Sequence, residues 1–466
     1  MTAIEQGRKQ AEALYFEGVR CMEAGEDTRA EDCFREALQF APELAEACLN
    51  LGFLANRRGD AEAAESCYRH AVALDPSCPQ GHLNLGAILA DKKRFAEAEA
   101  AYSQAIALRP DAAAGWSNLG ALYACMKRET EAEQCLRQAI ALDKDYANAR
   151  FNLGYLLLRQ GKFEEGWHCL EARNWYAPLA AQLSCPLWQG EALAGKSLLV
   201  GYEAGHGDMI QFCRYLPLLK QQGVASISMI CHPALKPLFE ALPEVDELIG
   251  FDEPLPDRNW DFWIPLLSIP HRFNTRIDTI PAKIPYLQAP AERIEKWAPL
   301  LPDGFRVGLV WKGNPRFEND ADRSLPSLGV LAPLADVSGV RFVSLQKGAG
   351  EAEAAHPPAG FPILDLGTRL QDFADSAAIV AQLDLVISVD TAVAHLAGAL
   401  GKPCWLMLPE YKPDWRWLTE RNDTPWYPAM RLFRQHAMGE WNPVVAELVA
   451  ALGQAVRIAA DIQLPT

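Results

Sequence analysis

The sequence has no excess of positive charge. Against 44 lysines and arginines stand 60 aspartates and glutamates, a formal charge of −16. The deficit is −7 up to residue 180 (20 basic, 27 acidic) and −9 beyond it (24 and 33), so it is spread evenly and is not an acidic tail. Without a basic stripe to neutralise phosphates, nucleic acid is excluded as the main partner. Paired-cysteine motifs are also missing. The 12 cysteines are scattered, with no Cys-x-x-Cys and no Cys/His cluster. That argues against a disulfide framework or a zinc site and for free thiols in a reducing cytoplasm. The opening MTAIEQGRKQAEALYFEG contains no apolar h-region, as a secretory signal would require. The longest apolar stretch, Thr391–Pro409, is broken by His395 and by Gly401-Lys402-Pro403. It is not expected to span a bilayer, and stable membrane insertion is not expected. What remains is an ordinary globular composition, 50% hydrophobic and 22% charged over 466 residues. The length suggests about three domains at roughly 150 residues each.

A repeat dominates the first part. Asn-Leu-Gly stands at 84–86, 118–120 and 152–154, and Asn-Leu-Gly also at 50–52, each a step of 34 from the next; one step back is Gly18. Ala30, Ala64, Ala98 and Ala132 keep the step, as do Phe34, Tyr68, Tyr102, Leu136 and Leu170. Ala37, Ala71, Ala105 and Ala139 form a further column, and Pro42, Pro76 and Pro110 another. Each unit reads as two helices that pack closely through the small residues, with the aromatic between them and proline closing the second. These columns resemble the tetratricopeptide repeat over about residues 8–178. The last unit departs from it, with Arg173 in place of the small alanine, as expected where a solenoid meets another domain. Asn50, Asn84, Asn118 and Asn152 recur in register. An amide donates and accepts at once, so such a row can hold an extended peptide backbone; the alternative is asparagines that tie adjacent repeats together. The row resembles the asparagine ladder of tetratricopeptide-containing O-GlcNAc transferases, which implies a polypeptide acceptor.

From Ser197 the pattern changes. SLLVGY, SISMIC, VDELIGF and DFWIPLL alternate with helical stretches. After the proline-rich 281–302, RVGLVW, RFVSLQ, PILDL, LDLVISV and PCWLML form a second set. Such alternation predicts parallel sheets, here two Rossmann-like domains with a cleft beyond the strand ends. The expected domains are therefore a solenoid at 1–180, a first α/β domain at 181–295 and a second at 296–466. After the first strand comes Gly201-Tyr-Glu-Ala-Gly-His-Gly-Asp208, where Gly205 and Gly207 allow close backbone approach and Asp208 reads as an N-cap or as a group facing the cleft. LDLVISV ends at Asp390-Thr391, directly before the helix AVAHLAGALG. Helix N–H groups there suit a diphosphate, with Thr391 and His395 adding donors. The alternatives are a capping aspartate and a core histidine.

VDTAVAHLAGALGKP resembles the nucleotide-sugar motif of heptosyltransferase-like GT-B glycosyltransferases. GHGD resembles the acceptor-side loop of that family, which implies Asp208 as general base, with His206 as a rival. WKGNPRFENDADRSLP resembles the entry to its second domain, implying Arg323 near the donor phosphates, with Lys312 and Lys347 also expected on the donor side; SLQKG resembles the same stretch of bacterial proteins that carry tetratricopeptide repeats ahead of such a domain. DWRW…DTPWYP further resembles bacterial proteins that fuse tetratricopeptide repeats to such a domain; flagellin glycosylation is one setting this implies. Trp415, Trp417 and Trp426 are open to two readings, stacking on a nucleobase or sugar and packing an interface. There is no Asp-x-Asp in a suitable loop, so a metal-independent, cofactor-free cytoplasmic enzyme using a nucleotide-sugar donor is expected. Two rivals are a non-catalytic scaffold with a degenerate transferase fold and an enzyme acting on a glycolipid core.

Overall fold

The computed structural model describes residues 3–463. It divides into two compact units, Met1–Leu156 and Leu157–Thr466. The first is helical: α1 (Ala3–Glu23), α2 (Asp27–Phe40), α3 (Ala45–Arg57), α4 (Ala61–Leu74), α5 (Pro79–Asp91), α6 (Phe95–Leu108), α7 (Ala113–Cys125), α8 (Glu129–Leu142) and most of α9 (Ala147–Arg159). The 34-residue step works by removing a side chain so that a ring can enter. A Cβ on Gly18 would lie 2.7 Å from the Phe34 ring, one on Gly52 2.5 Å from Tyr68, and one on Gly86 2.6 Å from Tyr102. Phe34, Tyr68 and Tyr102 are accordingly buried, and close interdigitation of this kind tolerates little added volume. Proline is not what ends the second helix of each pair. Helix α8 stops at Leu142, in register with its fellows, although Lys144 stands where they have proline.

The second unit takes in the end of α9 and then α10 (Phe163–Leu170), which is only eight residues long. Two parallel sheets follow. The first has the order β3-β2-β1-β4, from β1 (Ser197–Gly201), β2 (Ser226–Cys231), β3 (Glu247–Gly250) and β4 (Phe262–Pro265). The second has the order β10-β9-β8-β5-β6-β7, from β5 (Phe305–Val310), β6 (Val340–Ser344), β7 (Ile363–Asp365), β8 (Leu385–Val389), β9 (Cys404–Leu408) and β10 (Met430–Arg434). Strands β1, β2, β5, β8 and β9 are buried over most of their length because both faces of a parallel sheet are covered. Nine strands coincide with the sequence expectation. The tenth, β10, was not expected, because no helix separates it from β9: the connection is a loop with one 3-10 turn at Trp415–Trp417. The chain is thus an α-solenoid followed by an α/β region.

The last helix, Trp441–Gln463, is long and apolar enough over Trp441–Asp461 to cross a membrane by length and composition, with a mean hydropathy of 1.5. It lies outside Thr391–Pro409, the longest apolar stretch expected from the sequence. In this fold Trp441, Val444, Val445, Leu448 and Leu452 stand in the core of the second sheet beside Val307, Leu309 and Phe433.

Candidate functional site

The carboxyl end of β1 leads into residues 202–205 and a helix at His206–Phe212. Gly205 is the N-cap, so Asp208 is the third helical residue and not the cap itself. From there its Oδ2 accepts the Gly205 N–H at 2.8 Å, which satisfies one of the helix's orphan donors. Ala204, immediately before, takes a left-handed φ of +61°, a conformation that a side-chain-bearing residue holds only when its surroundings impose it.

The carboxyl end of β8 leads through Asp390 to a helix at Ala392–Ala399 whose N-cap is Thr391. The Thr391 hydroxyl does not cap that helix; it pairs with Ser388 Oγ at 3.0 Å. His395 is buried. Its Nδ1 pairs with Tyr427 Oη at 3.0 Å, and its ring stacks on Trp417 with centroids 5.3 Å apart. Burial, and then the charges of Arg416, Arg214 and Arg323, push the imidazole well below its ordinary range, so it is neutral. Trp417 Nε1 donates to Asp390 Oδ2 at 2.8 Å, and Asp390 Oδ1 lies 4.0 Å from His395 Nε2. Burial, and then the nearby Asp414 carboxylate, raise the Asp390 carboxyl to about 6.

The two loops meet. A Cβ on Gly207 would lie 2.8 Å from His395 Cδ2 and 3.5 Å from the Cα of Ala392. The glycine therefore admits the helix of the other sheet, where the sequence suggested close approach of a ligand. Arg416, on the β9–β10 connection, joins the halves. Its Nη2 donates to Asp208 Oδ1, its Nε to Gln211, and its Nη1 to both oxygens of Asp414 at 3.0 Å each. Burial raises the Asp208 carboxyl, and the Arg416 cation opposes that rise. Adjacent residues Arg416 and Trp417 thus hold the two aspartates, one from each sheet.

Arg323 Nε bonds Asp320 Oδ1 at 3.1 Å, and its charge is felt at both Asp390 and His395. Lys312 pairs with Glu353 at 2.9 Å, and Lys347 lies 3.6 Å from Glu351; neither hydrogen-bonds the Asp390–His395 group. His206 packs against His232, ring centroids 3.9 Å apart and tilted by 34°, and against Phe373 at 5.1 Å. Burial, and then His232, lower His206 to about 4. Trp415, Trp417 and Trp426 are all buried. Trp415 and Trp426 pack on Phe163 and on each other, and Trp426 also on Phe212. Of their two readings, packing is the one realised. In the solenoid, Asn50, Asn84, Asn118 and Asn152 are each partly exposed. Asn84 Oδ1 accepts from Gln80 at 2.7 Å, a bond within its own helix. Among the described residues no group of three or more His, Cys, Asp or Glu has a metal-ligating arrangement.

Arg416 was missed by the sequence reading. The available signal was an arginine between two tryptophans, two residues after an aspartate, in the loop that follows a strand.

Residues 332–405, which carry β6 to β8, Asp390, Thr391 and His395, match glycosyltransferase family 9 (heptosyltransferase). Residues 129–161 match the TPR repeat, and residues 45–133 the middle TPR-like domain of cilia and flagella-associated protein 70. Protein FlbA of Caulobacter vibrioides is 29% identical over 330 residues, 64% of this chain and 53% of FlbA. The chain thus spans about half the length of that relative. Among solved structures, pilF of Pseudomonas aeruginosa is similar at 21% identity and a TM-score of 0.33, covering 36% of this chain and 78% of pilF. YrrB, described as a TPR protein with an unusual peptide-binding site, is similar at 18% identity and a TM-score of 0.32, covering 39% of this chain and 95% of YrrB. The chain therefore joins tetratricopeptide repeats to a glycosyltransferase family 9 segment.

Proposed function

We propose that this protein is a cytoplasmic glycosyltransferase that moves a sugar from a nucleotide-sugar donor to a polypeptide held by its repeats, in a GT-B arrangement. The observation that carries the reading is the meeting of Asp208, from the end of β1, with the Asp390–His395 helix start, from the end of β8, through Arg416 and Gly207. Sugar transfer needs both halves at one point: a base for the acceptor hydroxyl and positive potential for the departing diphosphate. In this reading Asp208 takes the acceptor proton as the new C–O bond to the sugar forms. The bond from the sugar to the diphosphate breaks, and the N–H groups at the start of the Ala392–Ala399 helix, His395 and Arg323 receive the charge. His206 is a weaker candidate for the base, since a ring held near 4 and packed on His232 and Phe373 binds a proton poorly. Lys312 and Lys347 would have to leave their acidic partners to reach a donor.

Asn50, Asn84, Asn118 and Asn152 are proposed to grip the backbone of the acceptor. Flagellin is one acceptor to try first, because the sequence resembles fused repeat–transferase proteins of that setting. The test is intact mass of co-expressed acceptors, flagellin included, with a panel of nucleotide sugars. A mass gain of one sugar residue supports the reading, and unchanged masses across the panel contradict it. Activity is expected to survive EDTA; an absolute need for added Mg²⁺ or Mn²⁺ would remove the metal-free mechanism.

A further inference from the structure

The repeat pattern predicts a second helix continuing to about residue 176, yet α10 stops at Leu170. The chain beyond it is built into the α/β unit. Trp167, on α10, donates to Thr275 O at 2.9 Å, and its ring packs on Phe212 and Trp415, neighbours of Asp208 and Arg416 in sequence. Arg173, which breaks the alanine column, has a fully buried side chain. Its Nε and Nη2 form a two-pronged bond with Glu203, at 3.0 and 2.8 Å; Nη2 also reaches Ser268 Oγ at 2.8 Å, and Nη1 reaches Glu171 at 2.8 Å. Glu203, also fully buried, accepts the Leu267 N–H at 2.8 Å. Burial works against the Arg173 charge, but the Glu203 and Glu171 carboxylates together more than offset it and hold the guanidinium above its ordinary value. Glu203 directly precedes Ala204, the left-handed residue, and Gly205, whose N–H Asp208 grips.

We propose that Arg173 is a positioning residue for the loop that carries Asp208: through Glu203 it fixes residues 203–208, making the end of the repeat array a working part of the transferase site. The proposal rests on the transferase reading above. A planar guanidinium that meets a carboxylate through two parallel bonds sets direction as well as distance. An ion pair removed from water needs every bond satisfied to be tolerated at all, and here each partner has bonds beyond the pair. A strained backbone one residue away is what such a clamp holds in place.

The test uses the full-length protein with Arg173→Gln, Arg173→Lys, Glu203→Gln and the double variant Arg173→Gln/Glu203→Gln. Calorimetry with ADP, GDP and UDP reads the donor site. Hydrolysis of the matching nucleotide sugar across pH reads the base, and thermal melting reads the fold. In folded variants, diphosphate affinity should stay within about twofold of wild type. Turnover should fall about 10- to 100-fold in Arg173→Gln and Glu203→Gln, with the acid limb of the pH profile displaced, because Asp208 leaves its position. Arg173→Lys should recover part of the turnover. If Arg173→Gln does not fold, Glu203→Gln, which keeps shape and an acceptor for Leu267, decides. Folded variants with lowered melting but wild-type turnover and pH profile would overturn the positioning role. A wild-type protein that binds none of the three diphosphates and hydrolyses no nucleotide sugar would overturn the transferase reading instead.

Discussion

Arg416 is bonded to Asp208, a residue 208 positions earlier in the chain. The bond ties the loop after β9 to the helix after β1, and it favours the ionised form of the proposed base against burial. Burial favours the neutral carboxylic acid at Asp208, while the guanidinium favours the carboxylate. Replacing Arg416 with alanine removes the favourable partner and raises the Asp208 carboxyl further. A base must be ionised to act, so the acid limb of the pH–turnover profile should move to higher pH and turnover at pH 7 should fall at least tenfold. A profile that keeps its position would separate Asp208 from the base role.

Asp390 gives a second pH signature. Its carboxyl, raised to about 6, is neutral below that pH and anionic above it. His395 does not titrate in this window, because it is held well below its ordinary range. A nucleotide sugar whose diphosphate lies at this helix start should bind more tightly as pH falls from 7.5 to 5.5, by up to roughly tenfold. The same linkage makes the group's contribution to stability fall as pH rises from about 4 through 6. Asp390→Asn should flatten the binding curve. Calorimetry across pH checks this, and equal slopes for the two proteins would remove Asp390 from the donor site.

The glycine–aromatic column makes a prediction about stability. Alanine in a helix is ordinarily favoured over glycine by about 1 kcal/mol. At Gly86 the added methyl would lie 2.6 Å from the Tyr102 ring, and overpacking of this kind costs about 1–3 kcal/mol. Gly86→Ala should therefore lower the melting temperature. Gly7→Ala, whose nearest neighbour would be 3.8 Å away, should leave it unchanged or raise it. Equal shifts would show that the rings relax freely.

The asparagine row separates recruitment from chemistry. Each neutral hydrogen bond contributes only about 0.5–1.5 kcal/mol net, so one Asn→Ala change has a small effect. Changing Asn50, Asn84, Asn118 and Asn152 together should cut modification of the full-length acceptor at least tenfold, while hydrolysis of the donor persists. Melting is compared first, since asparagines that tie repeats together would reveal themselves there. A stable quadruple variant with undiminished acceptor modification would leave the four residues without a role in binding.

Much of this fold is legible in the sequence because it is periodic. The 34-residue step yields the helices, and apolar runs between helical stretches yield nine of the ten strands. Strand β10 escaped because its connection lacks the helix that marks a parallel crossover. Asp208, Asp390 and His395 could be picked out because each lies where a strand gives way to a helix. Their partners could not. Arg416 with Asp208, Arg173 with Glu203 and Trp167 with Thr275 pair residues 30 to 208 positions apart, and no local pattern encodes such meetings. The tryptophans stayed open to two readings for a related reason: an aromatic-rich loop has the same composition whether it greets a ligand or fills a core.

The central claim is that Asp208 and the Asp390–His395 helix start form one transfer site with separate duties. The most direct measurement is donor binding and turnover of Asp208→Asn, side by side with His206→Ala, on one nucleotide sugar and one acceptor. Asp208→Asn keeps the shape and loses the basicity. It is expected to lower turnover by about 10²–10⁴ with donor affinity unchanged, while His206→Ala keeps most of its activity. Normal turnover in Asp208→Asn, together with its loss in His206→Ala, would contradict the account and transfer the base to the imidazole.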